Sequence, residues 1–298
     1  MSFEGTRTVI ERGDANYPES LENVDRPPHS LYVIGNADVL EGGLAVIGAR
    51  RATPYGKSCA HRFARIAAEK GICIISGGAR GCDSEAHRAA LAASGPTVVV
   101  LGGGCDEVYP AENFSLFQRV IDEGGAVMSE HAWNVPPLPA YFRMRNRLIA
   151  GLSQAVLIVE AGVPSGTFST ADNALDYGKD VYVVPGAITS HSSRGSNRLL
   201  LQGATPIVDD ESFEDALFNT FGMLKAEGGE TLDEDETNPI MAALRAEPLT
   251  MDELLEIAKS SAKTGDAQRD LMEALSLAEA LGKVKRHPDG RWGPVIRT

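Results

Sequence analysis

LAVIGARRATPYGKSCAHRFARIAAEKGICIISGGARGCDSEAH, residues 44–87, sets the architecture. It opens with an apolar run, LAVIG (44–48), continues through a helix-length stretch over 56–70, and reaches a second apolar run, ICIIS (72–76), before another helix-length stretch over 82–93. A run without polar alternation needs cover on both faces, and the helix between two such runs supplies both the cover and the long crossover that parallel strands require. The alternation persists through TVVVLG (97–102), AVMS (126–129), AVLIVE (155–160) and DVYVVPG (180–186), with helix-length segments at 113–123, 145–152 and 167–178. The sequence therefore predicts an α/β fold of extended Rossmann-like type, a mostly parallel sheet with helices on both faces. In such sheets ligands bind beyond the carboxyl ends of the strands, so the loops that follow the runs are where chemistry is expected.

The chain has 298 residues and a formal net charge of −13, which at first sight opposes a polyanionic partner. The charge is unevenly placed. Residues 205–238 hold 11 acids and one base, whereas 31–204 hold 15 of each, and 12 of those 15 bases are arginine. Arginine grips phosphate with a planar fork, so the balance leaves room for a local anion site. Residues 1–30 read as a polar N-terminal extension, 31–223 as the α/β domain, 224–238 as an acidic linker and 239–298 as a small second domain. In the last segment Thr250 and Glu253 form a capping box before a helical run, and KVKRHPDGRWGPV (283–295) resembles a hairpin. Three helices and a hairpin predict a winged helix. Its third helix carries Asp266, Asp270, Glu273 and Glu279 against Arg269, which favours contact with protein over DNA. The four cysteines have neither zinc-site nor disulfide-framework spacing, no apolar run approaches the ~20 residues of a membrane span, and the N-terminus lacks an apolar signal core. The expectations are a cytoplasmic protein without metal, cofactor or membrane contact.

Five segments follow strands and carry glycine or arginine. GARRATPYG (48–56) brings Gly48 and Arg50 to a strand-to-helix turn, where backbone amides can approach an anion. SGGARGCD (76–83) brings Gly78 and Arg80 to a second such turn, with His87 one helical turn on. GGGCD (102–106) ends the next strand. FRMRNRL (142–148) sets Phe142 beside Arg143, Arg145, Asn146 and Arg147, an aromatic among arginines of the kind that stacks unpaired bases while following phosphates. Ser165, Gly166 and Thr167 lie between a strand and a helix, where amides and hydroxyls hold phosphate without net charge.

In order, GAR with YG, SGGARGCDSEAH, LGGGCDEVYPAEN, SE, FRMRNRLIAGLS, VEA with SGTFSTADNA, VPG and GSNRLLLQGA resemble the DNA-processing protein A (DprA/Smf) family over about residues 30–204. That resemblance implies a non-catalytic homodimer that binds single-stranded DNA and helps load RecA recombinase in natural transformation and recombination. Carried over by position, it implies DNA contacts from Arg50, Arg80, Phe142, Arg145, Asn146 and Arg147, with Gly48, Gly78, Ser165, Gly166 and Thr167 as pocket walls. The chain departs from the family at Gly78, where SGGARG replaces SGLARG, and at Arg143, a position that often holds proline. The alternative is an enzyme like the nucleoside 5′-monophosphate phosphoribohydrolases, whose PGG-x-GT-x-x-E signature supplies a carboxylate. Here PSGTFSTADNA places Thr170 at that point.

Overall fold

The computed structural model describes residues 2–40 and 42–222, and farther on residues 240, 243–244, 249–261, 268, 271–272, 275, 278–279, 284–286 and 291–294. Two compact units divide it, Met1–Lys225 and Ala226–Thr298. The first is a nine-stranded sheet. Its strands are β1 (Arg7–Glu11), β2 (Ser30–Gly35), β3 (Gly43–Ile47), β4 (Ile74–Ser76), β5 (Thr97–Val100), β6 (Ala126–Ser129), β7 (Ser153–Ile158), β8 (Asp180–Val183) and β9 (Thr205–Pro206). They lie in the order β1-β2-β6-β5-β4-β3-β7-β8-β9. From β6 to β9 every neighbouring pair is parallel, and β2 pairs antiparallel with both β6 and β1.

The six apolar runs are all strands, and successive side chains enter opposite layers, as the strand pleat requires. Leu44 and Val46 of β3 join Ala155 and Leu157 of β7 on one face, where α1 (Pro54–Glu69), α2 (Cys82–Ala92) and α7 (Asp210–Phe221) cover them. Ala45 and Ile47 join Val156 and Ile158 on the other, beneath α4 (Pro139–Leu152) and α5 (Thr167–Asp176). α3 (Phe114–Asp122) closes the β5–β6 end through Phe117 and Val120, and α6 (Arg194–Leu201) lends Leu199. The described part of residues 1–30, set apart in the sequence as an extension, contributes an edge strand and core side chains to the first unit. β1 pairs along its length with β2, and Ile10, Tyr17, Leu21 and Val24 are buried in the α4 layer. Their apolar side chains are spaced too widely among charges to show a strand or a core face in the sequence.

Of the second unit the described parts are a helix, Met251–Ser261, and an antiparallel strand pair, Val284–Arg286 with Trp292–Pro294. The Thr250 amide donates to Glu253 Oε2 at 2.8 Å, which completes the expected capping box. Ile240, Leu244, Leu254, Leu271, Leu275 and Trp292 gather into a small core. The acidic linker at 224–238, the hairpin turn and most of the expected third helix lie outside the described residues.

His87 of α2 is wholly buried, with Nδ1 2.7 Å from the Thr97 hydroxyl, which donates to the Ile74 carbonyl. It faces the core rather than a ligand site. Burial pushes its pKa from 6.5 down to about 3. On acidification the unfolded chain takes up this proton first, so the stability is complete above the ordinary histidine pKa and is lost as pH falls toward 3. His87→Asn keeps a donor for Thr97 but has nothing to titrate. Denaturant titrations between pH 6 and pH 4 are expected to give the variant a slope of stability on pH shallower by about 1.4 kcal/mol per unit.

Candidate functional site

Leaving β3, the chain builds β4, β5 and β6 to one side and, after α4, resumes on the other side with β7, β8 and β9. The direction of winding therefore reverses between β3 and β7, and loops leaving their carboxyl ends diverge to opposite faces. A crevice results there. It is a groove of about 680 Å³, walled by Gly48–Arg51 after β3, Gly162 and Pro164–Thr167 after β7, and the first turns of α4.

Buried carboxylates brace the loops on either side. Glu160 accepts the Thr53 amide and hydroxyl, each at 2.8 Å, while Thr53 Oγ1 caps α1 by accepting from the Gly56 amide. The positive end of α1, expected from the sequence to serve an anionic ligand, thus already faces a carboxylate. Asp83, in the first turn of α2, accepts the Ala79 amide at 3.2 Å. Burial pushes its carboxyl up, opposed by the charge of Arg145 and the amides of Ala79 and Gly48. Between them Gly81 has φ +79°, and a Cβ there would lie 2.3 Å from the Ala49 carbonyl oxygen, so the two loops touch only because residue 81 is glycine. The opening turn of α5 differs. It has no acid, Gly166 is exposed, and the Thr167 amide bonds only to the nearby Ser165 hydroxyl at 3.2 Å.

The arginines fall into distinct groups. Arg145 is buried, and its Nη1 donates to the carbonyls of Gly77, at 2.8 Å, and Val100, fastening α4 to the ends of β4 and β5. A Cβ on Gly77 would lie 2.6 Å from Arg145 Nη2, so the guanidinium requires glycine there. Burial brings the Arg145 pKa down to about 10, which still leaves it cationic at neutral pH. Arg147 is buried as well, on another side of α4, where Nη2 reaches Glu130 Oε2 at 2.6 Å. Asn146 ties the helix to α5 through the Gly166 carbonyl, at 3.2 Å, and Ser169 Oγ, at 2.8 Å. At the far end Lys179 Nζ donates to the carbonyls of Ala150, Gly151 and Ser153. Arg80 is exposed but paired with Glu112, and it does not line the groove. Arg50, Arg51 and Arg143 are exposed, line the groove, and have no ion-pair partner among the described residues. The Arg50 guanidinium sits 5.5 Å above the centre of the Phe142 ring, and Tyr109 lies 5.3 Å from that ring on centroids.

The structure brings Gly48, Arg50, Phe142, Arg145, Asn146, Ser165, Gly166 and Thr167 to one groove. It does not bring Gly78, Arg80 or Arg147 there. Gly78 is buried against Phe117, with its carbonyl accepting from Asn113 Nδ2 at 2.9 Å. Arg51, Arg143 and Tyr109 also line it; none was carried over as a DNA contact, although Arg143 was read among the arginines beside Phe142, Arg51 follows Arg50 directly, and Tyr109 stands in the LGGGCDEVYPAEN segment. Among the described residues no group of His, Cys, Asp and Glu is arranged to hold a metal ion, and no helix is long and apolar enough to cross a membrane.

A family model described as DNA recombination-mediator protein A matches residues 8–217. Protein Smf of Escherichia coli strain K12 is 39% identical over 196 residues, 65% of this chain and 52% of that protein, so the chain matches about half of that relative's length. DNA processing protein DprA of Bacillus subtilis strain 168 is 34% identical over 70% of this chain and 71% of its own. Among solved structures, DNA processing protein A from Streptococcus pneumoniae aligns with a TM-score of 0.66 at 33% identity, over 70% of this chain and 74% of that one. The protein of the same name from Helicobacter pylori, whose structure concerns a single-stranded DNA binding mode, aligns with a TM-score of 0.66 at 32% identity, over 74% and 99%.

The two kinds of arginine respond differently to removal. Arg145→Met deprives two buried carbonyls of their donor and is expected to lower unfolding free energy by about 3 kcal/mol. Arg50→Ala and Arg143→Ala, whose exposed side chains make no hydrogen bond or ion pair among the described residues, are expected to change it by less than about 0.5 kcal/mol in the same denaturation assay.

Proposed function

The chain belongs to the DNA recombination-mediator protein A (DprA/Smf) family, and on that premise we propose that its groove binds single-stranded DNA without catalysis. The observation that carries this reading is that Arg50, Arg51 and Arg143, all exposed and without an ion-pair partner among the described residues, line one groove with Phe142, whose ring lies under Arg50, at the switch point of the sheet. Guanidinium groups follow phosphates of any sequence, an aromatic face stacks any base, and together they favour unpaired over paired strands. The opening turn of α5, with Ser165, Gly166 and Thr167, adds hydroxyl and amide donors on the opposite wall. Gly48 walls the floor, and Asn146 keeps the α5 turn in register with α4. Arg80 reaches a phosphate by exchanging its Glu112 partner. Likeness to the Helicobacter pylori protein supports the same ligand.

Loading of RecA recombinase onto the bound strand during DNA uptake, a homodimeric state, a protein-contacting winged helix after the acidic linker and a cytoplasmic location complete the proposal. They rest on the family and on the acids of the expected third helix, Asp266, Asp270, Glu273 and Glu279. The phosphoribohydrolase alternative needs a carboxylate free to act. Thr170 lines the groove where that acid belongs, and Asp83, the carboxylate among the described lining residues, is engaged by backbone amides.

Anisotropy titrations across salt test the proposal. Single-stranded DNA is expected to be retained and duplex lost as salt rises, and equal affinity for the two overturns it. Arg50→Ala and Arg143→Ala are each expected to flatten the slope of log K on log salt by about 0.7, alike on all sequences. Phe142→Ala is expected to cost about 1–3 kcal/mol of binding with the slope unchanged. Glu112→Gln frees Arg80 and is expected to tighten binding and steepen the slope. Incubation with nucleoside 5′-monophosphates is expected to release no free base.

A further inference from the structure

We propose that Glu130 and Arg147 are a positioning pair that sets the rotation of α4 and thereby aims Phe142 and Arg143 into the groove, an inference that rests on the single-stranded DNA reading. Glu130 follows β6 directly, and the two side chains are only 11% and 8% exposed. Neither Nε nor Nη1 of Arg147 has another hydrogen-bond partner among the described residues, so Glu130 alone fixes the guanidinium. The next residue in the β6 loop, His131, packs its ring against that of Tyr141, centroids 4.1 Å apart and tilted by 33°, beside the turn of α4 that carries Phe142.

Arg145, Asn146 and Arg147 leave α4 about 100° apart. They reach three different supports, which are the ends of β4 and β5, the start of α5, and the end of β6. Two ties leave a helix free to roll about the line between them; the third removes that freedom. Side-chain ends lie roughly 5–6 Å from a helix axis, so a roll of about 10° displaces Phe142 and Arg143 by about 1 Å. That is enough to lose a stacked base or a forked phosphate contact. Arg147 thus acts through Phe142 and Arg143 without touching the strand, and Glu130, an acid beside a DNA groove, promotes binding.

The experiment measures single-stranded DNA affinity and its salt slope for the full chain and for Glu130→Gln, Arg147→Met, Arg143→Ala and the Glu130→Gln/Arg143→Ala double variant, with thermal melts confirming that each is folded. Glu130→Gln and Arg147→Met are each expected to weaken binding about fivefold with no change of slope. In the double variant the Glu130→Gln effect is expected to shrink, because the contact it positions is already absent. Tighter binding and a steeper slope in Glu130→Gln overturn the proposal, since the acid then only repels DNA. A slope lowered by about 0.7 in Arg147→Met overturns it too, because Arg147 then holds a phosphate itself. So does strict additivity in the double variant, the signature of general destabilisation. If Glu130→Gln does not fold, Glu130→Asp, which keeps the charge and shortens the reach, replaces it with the same expected outcome. Arg50→Ala separates the two levels of inference. If it leaves binding intact, the DNA reading fails; if it weakens binding while Glu130→Gln does not, the positioning pair alone fails.

Discussion

A single buried guanidinium holds the functional edge of the sheet together. Arg145 is buried and bonds two carbonyls at the ends of adjacent parallel strands. Buried backbone acceptors of this kind must be satisfied by some group, and a long side chain from α4 does so only if that helix lies across the strand ends. The crevice follows from this constraint. With α4 fixed over β4 and β5, its opening turns overhang the switch point between β3 and β7, and the residues there have the groove as their surroundings.

The same constraint divides the charge of the molecule by purpose. In FRMRNRL, three arginines spaced two apart look equivalent in the sequence, yet one is a strand-end tie, one pairs with Glu130, and only Arg143 is left for solvent. Elsewhere carboxylates take up the basic groups in pairs, Arg62 with Asp210 and Arg80 with Glu112 among them. Arg50, Arg51 and Arg143 of the groove have no ion-pair partner among the described residues. A chain carrying a formal charge of −13 thereby keeps an electropositive strip, and its overall acidity is no guide to that strip.

Much of this was legible in the residues, and the limits have physical causes. Six apolar runs declared six buried strands because nothing but double burial tolerates such runs. β1 and β2 escaped notice because one is an antiparallel edge strand exposed along most of its length, and the other follows a polar, proline-bearing stretch and pairs antiparallel outside the strand–helix–strand alternation. α4 begins at Pro139, six residues ahead of the expected 145, since its first turns face the groove and carry no apolar stripe to reveal them. The convergence of Gly48, Arg50 and the Ser165–Thr167 turn was readable from their placement after strands, and Phe142 was marked by the arginines around it. Which way Arg145 and Arg147 point was not. Successive helical residues step about 100°, and only the positions of β6 and α5, set by distant segments, decide which of those directions is interior.

Lys179 adds a last element, since its ammonium satisfies three carbonyls at the carboxyl end of α4. The helix is therefore tied at its middle and at its carboxyl end, and its exposed first turns project from that fixed part. A receptor wall tied down in advance surrenders little conformational freedom on association, so in the proposed complex the larger share of the entropic penalty falls on the flexible polymer.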